Sequence, residues 1–321
     1  MGLELWQAVV LGLVEGITEY LPVSSTGHLI LVSALLGLDR PEIKASIDAF
    51  EIVVQGGAIL AVLSIYWPRV LRMLRGVLGK DAAGLKLAVN LVIAFIPAAV
   101  VGKLLDKKIE EHLFGPGPVL AALFVGGIYM IAIERYVRTR AARAAAPGAD
   151  RRAPSEQSSG GSRMTLDSIS PVQAFCIGLM QCIAMWPGTS RAMMTITGGM
   201  LIGLPPAAAA EFSFLLGLPT LGAATVYKAY KNFKTSHAAG LPDFYHQLGP
   251  AAVLTGILVA TVSAALAVKW LVGYLKRRGL APFGWYRIAL AAVLIGLVFT
   301  GRLAMRPREV TPQLSAPAKA P

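Results

Sequence analysis

Two glutamates, a Ser-Ser-Thr run and a histidine fall within one short stretch, EGITEYLPVSSTGH (Glu15 to His28), inside an otherwise apolar part of the chain. An Asp, Lys or Arg at a bilayer centre costs roughly 3 kcal/mol on insertion scales, and Glu belongs to the same class. Such side chains face a protein interior and serve a function. A second polar knot, WPGTSR (Trp186 to Arg191), adds an arginine. Together the knots have the chemistry of a buried site for a phosphate-bearing ligand, with carboxylates to hold a cation or move a proton, hydroxyls to attack, and a guanidinium to grip oxyanions.

Glu15 and Glu19 are four residues apart, which on a helix sets both carboxylates on one face about a turn apart. A divalent cation, Mg²⁺ or Ca²⁺, bridging them to diphosphate oxygens would relieve their repulsion. A shared proton would do the same and leave one glutamate as a general acid. A hydrogen-bonded pair that merely stabilises the segment is the third reading. After Pro22, the residues Ser24, Ser25, Thr26 and Gly27 are types that cap a new helix and present N–H groups and hydroxyls to an anion. His28, three residues beyond Ser25, is within a helical turn of it as base or acid. In the second knot Pro187 and Gly188 interrupt a helix, Thr189 and Ser190 begin another, and Arg191 falls in its first turn. Guanidinium stays charged and donates in pairs to phosphate. Arg191 has no acidic neighbour in sequence, so its expected partner is a ligand anion or one of Glu15, Glu19 and Glu211. The catalytic candidates are therefore Glu15, Glu19, Ser25, His28 and Arg191. Ser24, Thr26, Gly27, Gly188, Thr189 and Ser190 are the substrate-binding candidates, and Glu15 and Glu19 the metal ligands.

The elements that position these residues must be membrane helices. The 321 residues are 55% hydrophobic and only 15% charged, with mean hydropathy +0.61. A spanning helix needs about 20 apolar residues, and the runs near 50–67, 87–104, 113–133, 210–227, 248–270 and 284–301 qualify. Residues 169–190 are also uncharged, so hydropathy alone counts them as a further span. The Gly-Gly pairs at 56–57, 126–127 and 198–199 suit close helix packing. Glu51 and Glu211 each open an apolar run, where an interfacial or supporting role is as natural as catalysis.

The net charge of +12 raises nucleic acid as a partner, yet the basic residues lie between apolar runs, where topology explains them. Arg69, Arg72, Arg75, Lys80 and Lys86, then Arg135 to Arg163, then Lys276 to Arg278, mark cytoplasmic loops; Lys228, Lys231, Lys234 and the tail arginines run against that alternation. The partners expected from the residues are a phosphate-bearing ligand, the bilayer and, as an assembly, a homodimer. The start MGLELWQAVV lacks a basic n-region, so no cleaved leader is expected. Cys176 and Cys182 point different ways on one helix and read as packing residues.

Residues 1–140 form a first membrane repeat and 166–303 a second. The Ala/Pro/Gly/Ser/Arg-rich stretch 141–165 between them reads as a flexible linker, with anionic lipid headgroups as its alternative role, and 304–321 as a disordered tail. QAVVLGLVEGITEYLPVSSTGH is similar to QAFCIGLMQCIAMWPGTSR: Gln7 aligns with Gln173, Gly12 with Gly178, Glu15 with Gln181, Pro22 with Pro187, Ser25 with Ser190 and, further on, Glu51 with Glu211. Each half holds a Pro-broken hairpin and three spans, an odd number of crossings that gives the halves opposite orientations. The fold class expected is an all-α polytopic membrane protein of two inverted-topology repeats. Each has a re-entrant hairpin, and the sites of such folds lie near the midplane where broken helices converge. Secondary carriers share this signature, so transport of an anionic lipid or small anion is the competing function.

The string EGITEYLPVSSTGH, followed by WPGTSR, TGGM and EFSFLLGLP, resembles the undecaprenyl-diphosphate phosphatase family associated with bacitracin resistance. The likeness runs through nearly the whole chain. It implies an integral membrane hydrolase of the bacterial plasma membrane that removes the terminal phosphate of undecaprenyl diphosphate, recycling the carrier lipid of cell-wall synthesis. By motif, Glu15 and Glu19 fall in the family's glutamate-rich motif, Ser25 is its proposed nucleophile, and His28 and Arg191 complete the site. The chain departs from the family pattern after the arginine, with Ala192, Met193 and Met194 in place of a Ser-Gly-Ala run, and in a longer linker.

Overall fold

The computed structural model describes residues 3–38, 41–113, 116–145, 164–238 and 248–300. Among them the secondary structure is entirely helical. The order is α1 (Leu5–Glu19), α2 (Ser25–Leu35), α3 (Pro41–Ile65), α4 (Trp67–Val77), α5 (Ala82–Leu113), α6 (Pro116–Ala145), a 3-10 turn (Leu166–Ser168), α7 (Pro171–Ile183), α8 (Arg191–Leu201), α9 (Pro206–Ala238), α10 (Pro250–Arg278) and α11 (Ala281–Phe299). The protein is a polytopic membrane protein: α3, α5, α6, α9, α10 and α11 supply 6 segments long and apolar enough to cross a bilayer. They coincide with the six runs expected from hydropathy.

The stretch 169–190 is not a seventh span. Its helix α7 is 13 residues long, about 20 Å against a hydrocarbon core of about 30 Å, and Pro187 and Gly188 keep it from joining α8. In the first half α1, with 15 residues, also stops short, and Pro22 separates it from α2. The two breaks end alike. Ser24 (φ 72°) and Ser190 (φ 75°) are the two non-glycine residues with positive φ among the described residues, and each is the N-cap of the helix that follows. Ser24 Oγ accepts from Gly27 N at 3.4 Å and Ser190 Oγ from Met193 N at 3.2 Å. A serine held there costs of order 1–3 kcal/mol, so the same strained turn is built twice. Each half then continues with three spanning helices.

Small residues let the short helices nest against long ones. α1 packs along α10, with Gly12 against the Gly256 carbonyl and Gly16 so close to Ser263 and the Ala260 carbonyl that a methyl group has no room. On α7, Gly178 meets the Ala94 carbonyl of α5 in the same way. The Gly-Gly pairs are packing positions as expected; Gly127, for example, abuts the Gly284 carbonyl.

The three basic segments gather at one end of the bundle. Arg69 and Arg72 face Asp167, Lys86 donates to the Asp167 carbonyl, and Arg138 donates to the Arg278 carbonyl. Two sequence expectations change. α6 continues to Ala145, through residues assigned to the linker, because the run AARAA is rich in the best helix former. Residues 146–163 and the tail 304–321 lie outside the described residues. Cys176 is exposed rather than packed, and only Cys182 is half-buried.

Candidate active site

The two polar knots meet. Arg191, at the first position of α8, donates from Nη2 to Glu19 Oε1 at 3.1 Å, with side-chain exposures of 10% and 5%. Its Nη1 donates to the Ser213 carbonyl at 2.8 Å, its Nε is buried with no acceptor, and its guanidinium lies 5.3 Å from the centre of the Tyr20 ring. Arg191 is thus aimed by a carbonyl, an aromatic face and a carboxylate, with one donor unspent.

Glu19 gathers three donors. Besides Arg191 on Oε1, its Oε2 accepts from Ser25 Oγ at 2.8 Å and from Gln55 Nε2 at 3.3 Å. Glu15, one turn earlier on α1, is 1% exposed, and its Oε1 has no hydrogen-bond partner. The carboxylates of Glu19 and Glu51 both act electrostatically on it, as does Arg191. An unpartnered buried carboxylate oxygen amid like charges is costly.

Ser25 opens α2 with its hydroxyl turned to Glu19, and Thr26 sits beside it, half-buried. Ser24 and Ser190 cap their helices, as residues of this type do: the Ser24 hydroxyl accepts from the Gly27 N–H and the Ser190 hydroxyl from the Met193 N–H, which leaves each hydroxyl its own proton to donate. Gly188 (φ 93°) and Thr189 are buried in the second break, where a side chain at Gly188 would strike the Val119 carbonyl.

His28 is not hydrogen-bonded to Ser25. Its Nδ1 lies 2.8 Å from the Ser24 carbonyl and its Nε2 2.6 Å from the Tyr286 hydroxyl. The group that Ser25 meets is Glu19: the i, i+3 spacing places His28 on the same helix but its ring along α2 and back toward the cap. Glu51 and Glu211, aligned in the repeat, also part company. Glu51 accepts from Ser33 Oγ at 2.8 Å beside Glu15, whereas Glu211 pairs with Arg69 at 3.1 Å at the basic end.

Four residues of this neighbourhood were not singled out in the sequence: Tyr20, Gln55, Tyr286 and Arg287. Arg287 is fully buried on α11 with no carboxylate partner. It donates to the Pro22 carbonyl at 3.5 Å, Leu123 at 3.4 Å, Ala122 at 3.0 Å and Gly188 at 2.8 Å, so one guanidinium ties both breaks together. Gly126 makes room for it, since a methyl there would collide with its Nη2. The signal was present, an arginine inside the last apolar span, and it carries the same energetic cost as the glutamates. Gln55 in VVQGG was a weaker sign of the same kind.

A cleft of about 770 Å³ opens at the basic end, lined by Arg69, Arg138, Glu211 and Lys276 among others. It does not include Glu15, Glu19, Ser25 or Arg191, and the polar network rather than this cleft carries the reactive groups. Among the described residues no group of three or more His, Cys, Asp or Glu side chains is arranged to hold a metal ion. The donors on offer are Glu15 and Glu19, the second already engaged.

The profile described as bacitracin resistance protein BacA matches residues 8–293. A protein of Sorangium cellulosum named undecaprenyl-diphosphatase is 47% identical over 292 residues, 91% of this chain and 86% of its own length. Proteins of the same name from Verminephrobacter eiseniae and Nitratidesulfovibrio vulgaris are 40% and 42% identical over 295 and 287 residues, covering 92% and 89% of this chain and 95% and 96% of theirs. A match that runs from α1 into α11 shows that the chain belongs to the BacA family of bacitracin resistance proteins.

Proposed function

We propose that this protein is an undecaprenyl-diphosphate phosphatase of the bacterial plasma membrane, hydrolysing the terminal phosphate of its lipid substrate to release inorganic phosphate and undecaprenyl phosphate. The observation that carries the reading is the continuous chain Arg191–Glu19–Ser25, an anion-binding cation, a carboxylate and a hydroxyl within hydrogen-bonding distance of one another. The full-length relatives named undecaprenyl-diphosphatase support it.

In this mechanism Ser25 Oγ attacks the distal phosphorus in line with the bridging oxygen. Its proton passes to Glu19 Oε2, which already accepts it as a hydrogen bond. The bond from the distal phosphorus to the bridging oxygen breaks and undecaprenyl phosphate leaves. Water then attacks the phosphorus of the phosphoserine as His28 takes one of its protons, the P–Oγ bond breaks, Glu19 returns its proton to Ser25 Oγ, and phosphate departs. Arg191 meets charge developing on the phosphoryl oxygens, and its unspent Nε–H is the donor in reserve. Glu15, whose Oε1 is unpartnered, and Glu19 are the residues that would hold a divalent cation such as Mg²⁺. When bound, it would neutralise diphosphate charge.

Inverted repeats account for the architecture. The twice-built strained serine, the two short helix pairs and three spans in each half support two re-entrant hairpins meeting at the midplane. The clustered arginines of α4, α6 and α10 support a cytoplasmic basic end. Both hairpins belong to one chain, so the site is complete with or without a homodimer. A carrier has no use for a serine hydroxyl held on a carboxylate, which disfavours transport alone.

Purified protein in detergent, given a polyprenyl diphosphate, releases inorganic phosphate; Ser25→Ala does not, and a chelator suppresses the wild-type rate until Mg²⁺ is restored. Full activity of Ser25→Ala would remove the serine from the reaction, and absence of release by the wild type would remove the function.

A further inference from the structure

The geometry points to Tyr286 as a positioning residue of the reaction, the partner that holds the His28 imidazole in place in both of its protonation states. The inference rests on the reading of His28 as a member of the site.

Three observations carry it. The Ser24 carbonyl can only accept, so at 2.8 Å it holds Nδ1 as N–H. In the neutral ring Nε2 then bears the lone pair, and the Tyr286 hydroxyl, 2.6 Å away, donates to it. In the charged ring both nitrogens donate, and the same hydroxyl turns to accept. A hydroxyl is one of the few groups that serves both states without moving. The second observation is ring geometry: the imidazole and phenol planes lie within 5° of each other with centres 5.7 Å apart, so the hydroxyl meets the imidazole at its edge, where the Nε2 lone pair or N–H points.

The third is the anchoring of Tyr286 itself. α11 is pinned at its start by Glu134, which accepts from the Leu280 and Ala281 N–H groups. It is pinned again one residue after Tyr286 by Arg287, whose guanidinium holds the Pro22 and Gly188 carbonyls. The phenol therefore has a fixed address relative to both breaks.

The test combines kinetics with nitrogen spectroscopy. Tyr286→Phe is expected to lower kcat for polyprenyl diphosphate about tenfold while KM stays within about twofold, since substrate contacts are untouched and only a proton-handling ring is loosened. In the His28→Ala background the same substitution is expected to cause no further loss. With ¹⁵N-labelled histidine, the His28 Nε2 resonance should move toward that of an unbonded lone-pair nitrogen in Tyr286→Phe, with Nδ1 unchanged. An equal loss in both backgrounds, an unchanged kcat, or an unmoved Nε2 resonance would each overturn the assignment. Wild-type protein that releases no phosphate would instead refute the phosphatase reading, and the resonances would still report on the contact.

Discussion

Arg191 and Glu19 lie 172 positions apart in the chain and 3.1 Å apart in space. The pair joins the second helix break to the first, and both side chains are nearly inaccessible. A buried ion pair of this kind gains little over an apolar replacement, but removing one partner strands a charge at a cost of about 3–5 kcal/mol.

Glu19→Gln is therefore expected to do two separable things. Phosphate release falls by about a hundredfold or more because the acceptor of the Ser25 proton is lost. The thermal midpoint in detergent also drops, because Arg191 keeps its charge without its partner. Arg191→Lys should recover part of the stability but little of the rate, since an ammonium cannot serve Glu19, the Ser213 carbonyl and a phosphoryl oxygen at once. Wild-type rates in either variant would contradict the pairing.

The adjacent serines should separate by role. Ser24→Ala removes a helix cap and costs about 1 kcal/mol in stability, with most of the activity kept. Ser24→Gly is close to neutral, because loss of the cap is offset by relief of a positive φ that glycine adopts freely. Ser25→Ala retains the fold and loses the activity. A stability assay run beside phosphate release decides; equal effects at both positions would mean the cap and the reactive hydroxyl are wrongly assigned.

Arg287→Met leaves the Pro22 and Gly188 carbonyls without their side-chain donor in a dry interior and removes two further contacts to the α6 carbonyls of Ala122 and Leu123. At about 1–3 kcal/mol for an unsatisfied buried group, the expected outcome is a lowered denaturation midpoint and loss of activity together. Refolded, stable Arg287→Met with normal turnover would show that the two breaks hold themselves.

Gly16→Leu tests the seam between α1 and α10. No space exists beside Ser263 and the Ala260 carbonyl, so the helices must separate, at about 1–3 kcal/mol or more, and Glu15 and Glu19 move with α1. Gly296→Leu, where nothing lies within reach of an added carbon, is the matched control and should leave both stability and phosphate release unchanged. Equal tolerance at the two sites would argue against the seam.

Hydropathy and helix breakers are local properties of a chain. For that reason the six apolar runs, the short α7, and the breaks at Pro22 and Pro187–Gly188 were legible from residues alone, as was the cost that marks Glu15, Glu19 and Arg191 as buried and purposeful. The sequence also carried the likeness between the two halves. What it could not carry is direction: which way a side chain leaves its helix and what stands opposite depend on how distant helices cross. Only the tertiary structure gave Ser25 to Glu19 rather than to His28 and set His28 against Tyr286 from the last helix. It also sent Glu211 to Arg69. Arg287 makes the distinction plainest. Its charge inside an apolar span announces a partner, but that its partners are four backbone carbonyls, one from each break and two from α6, is a matter of packing, because backbone oxygens leave no mark in the sequence.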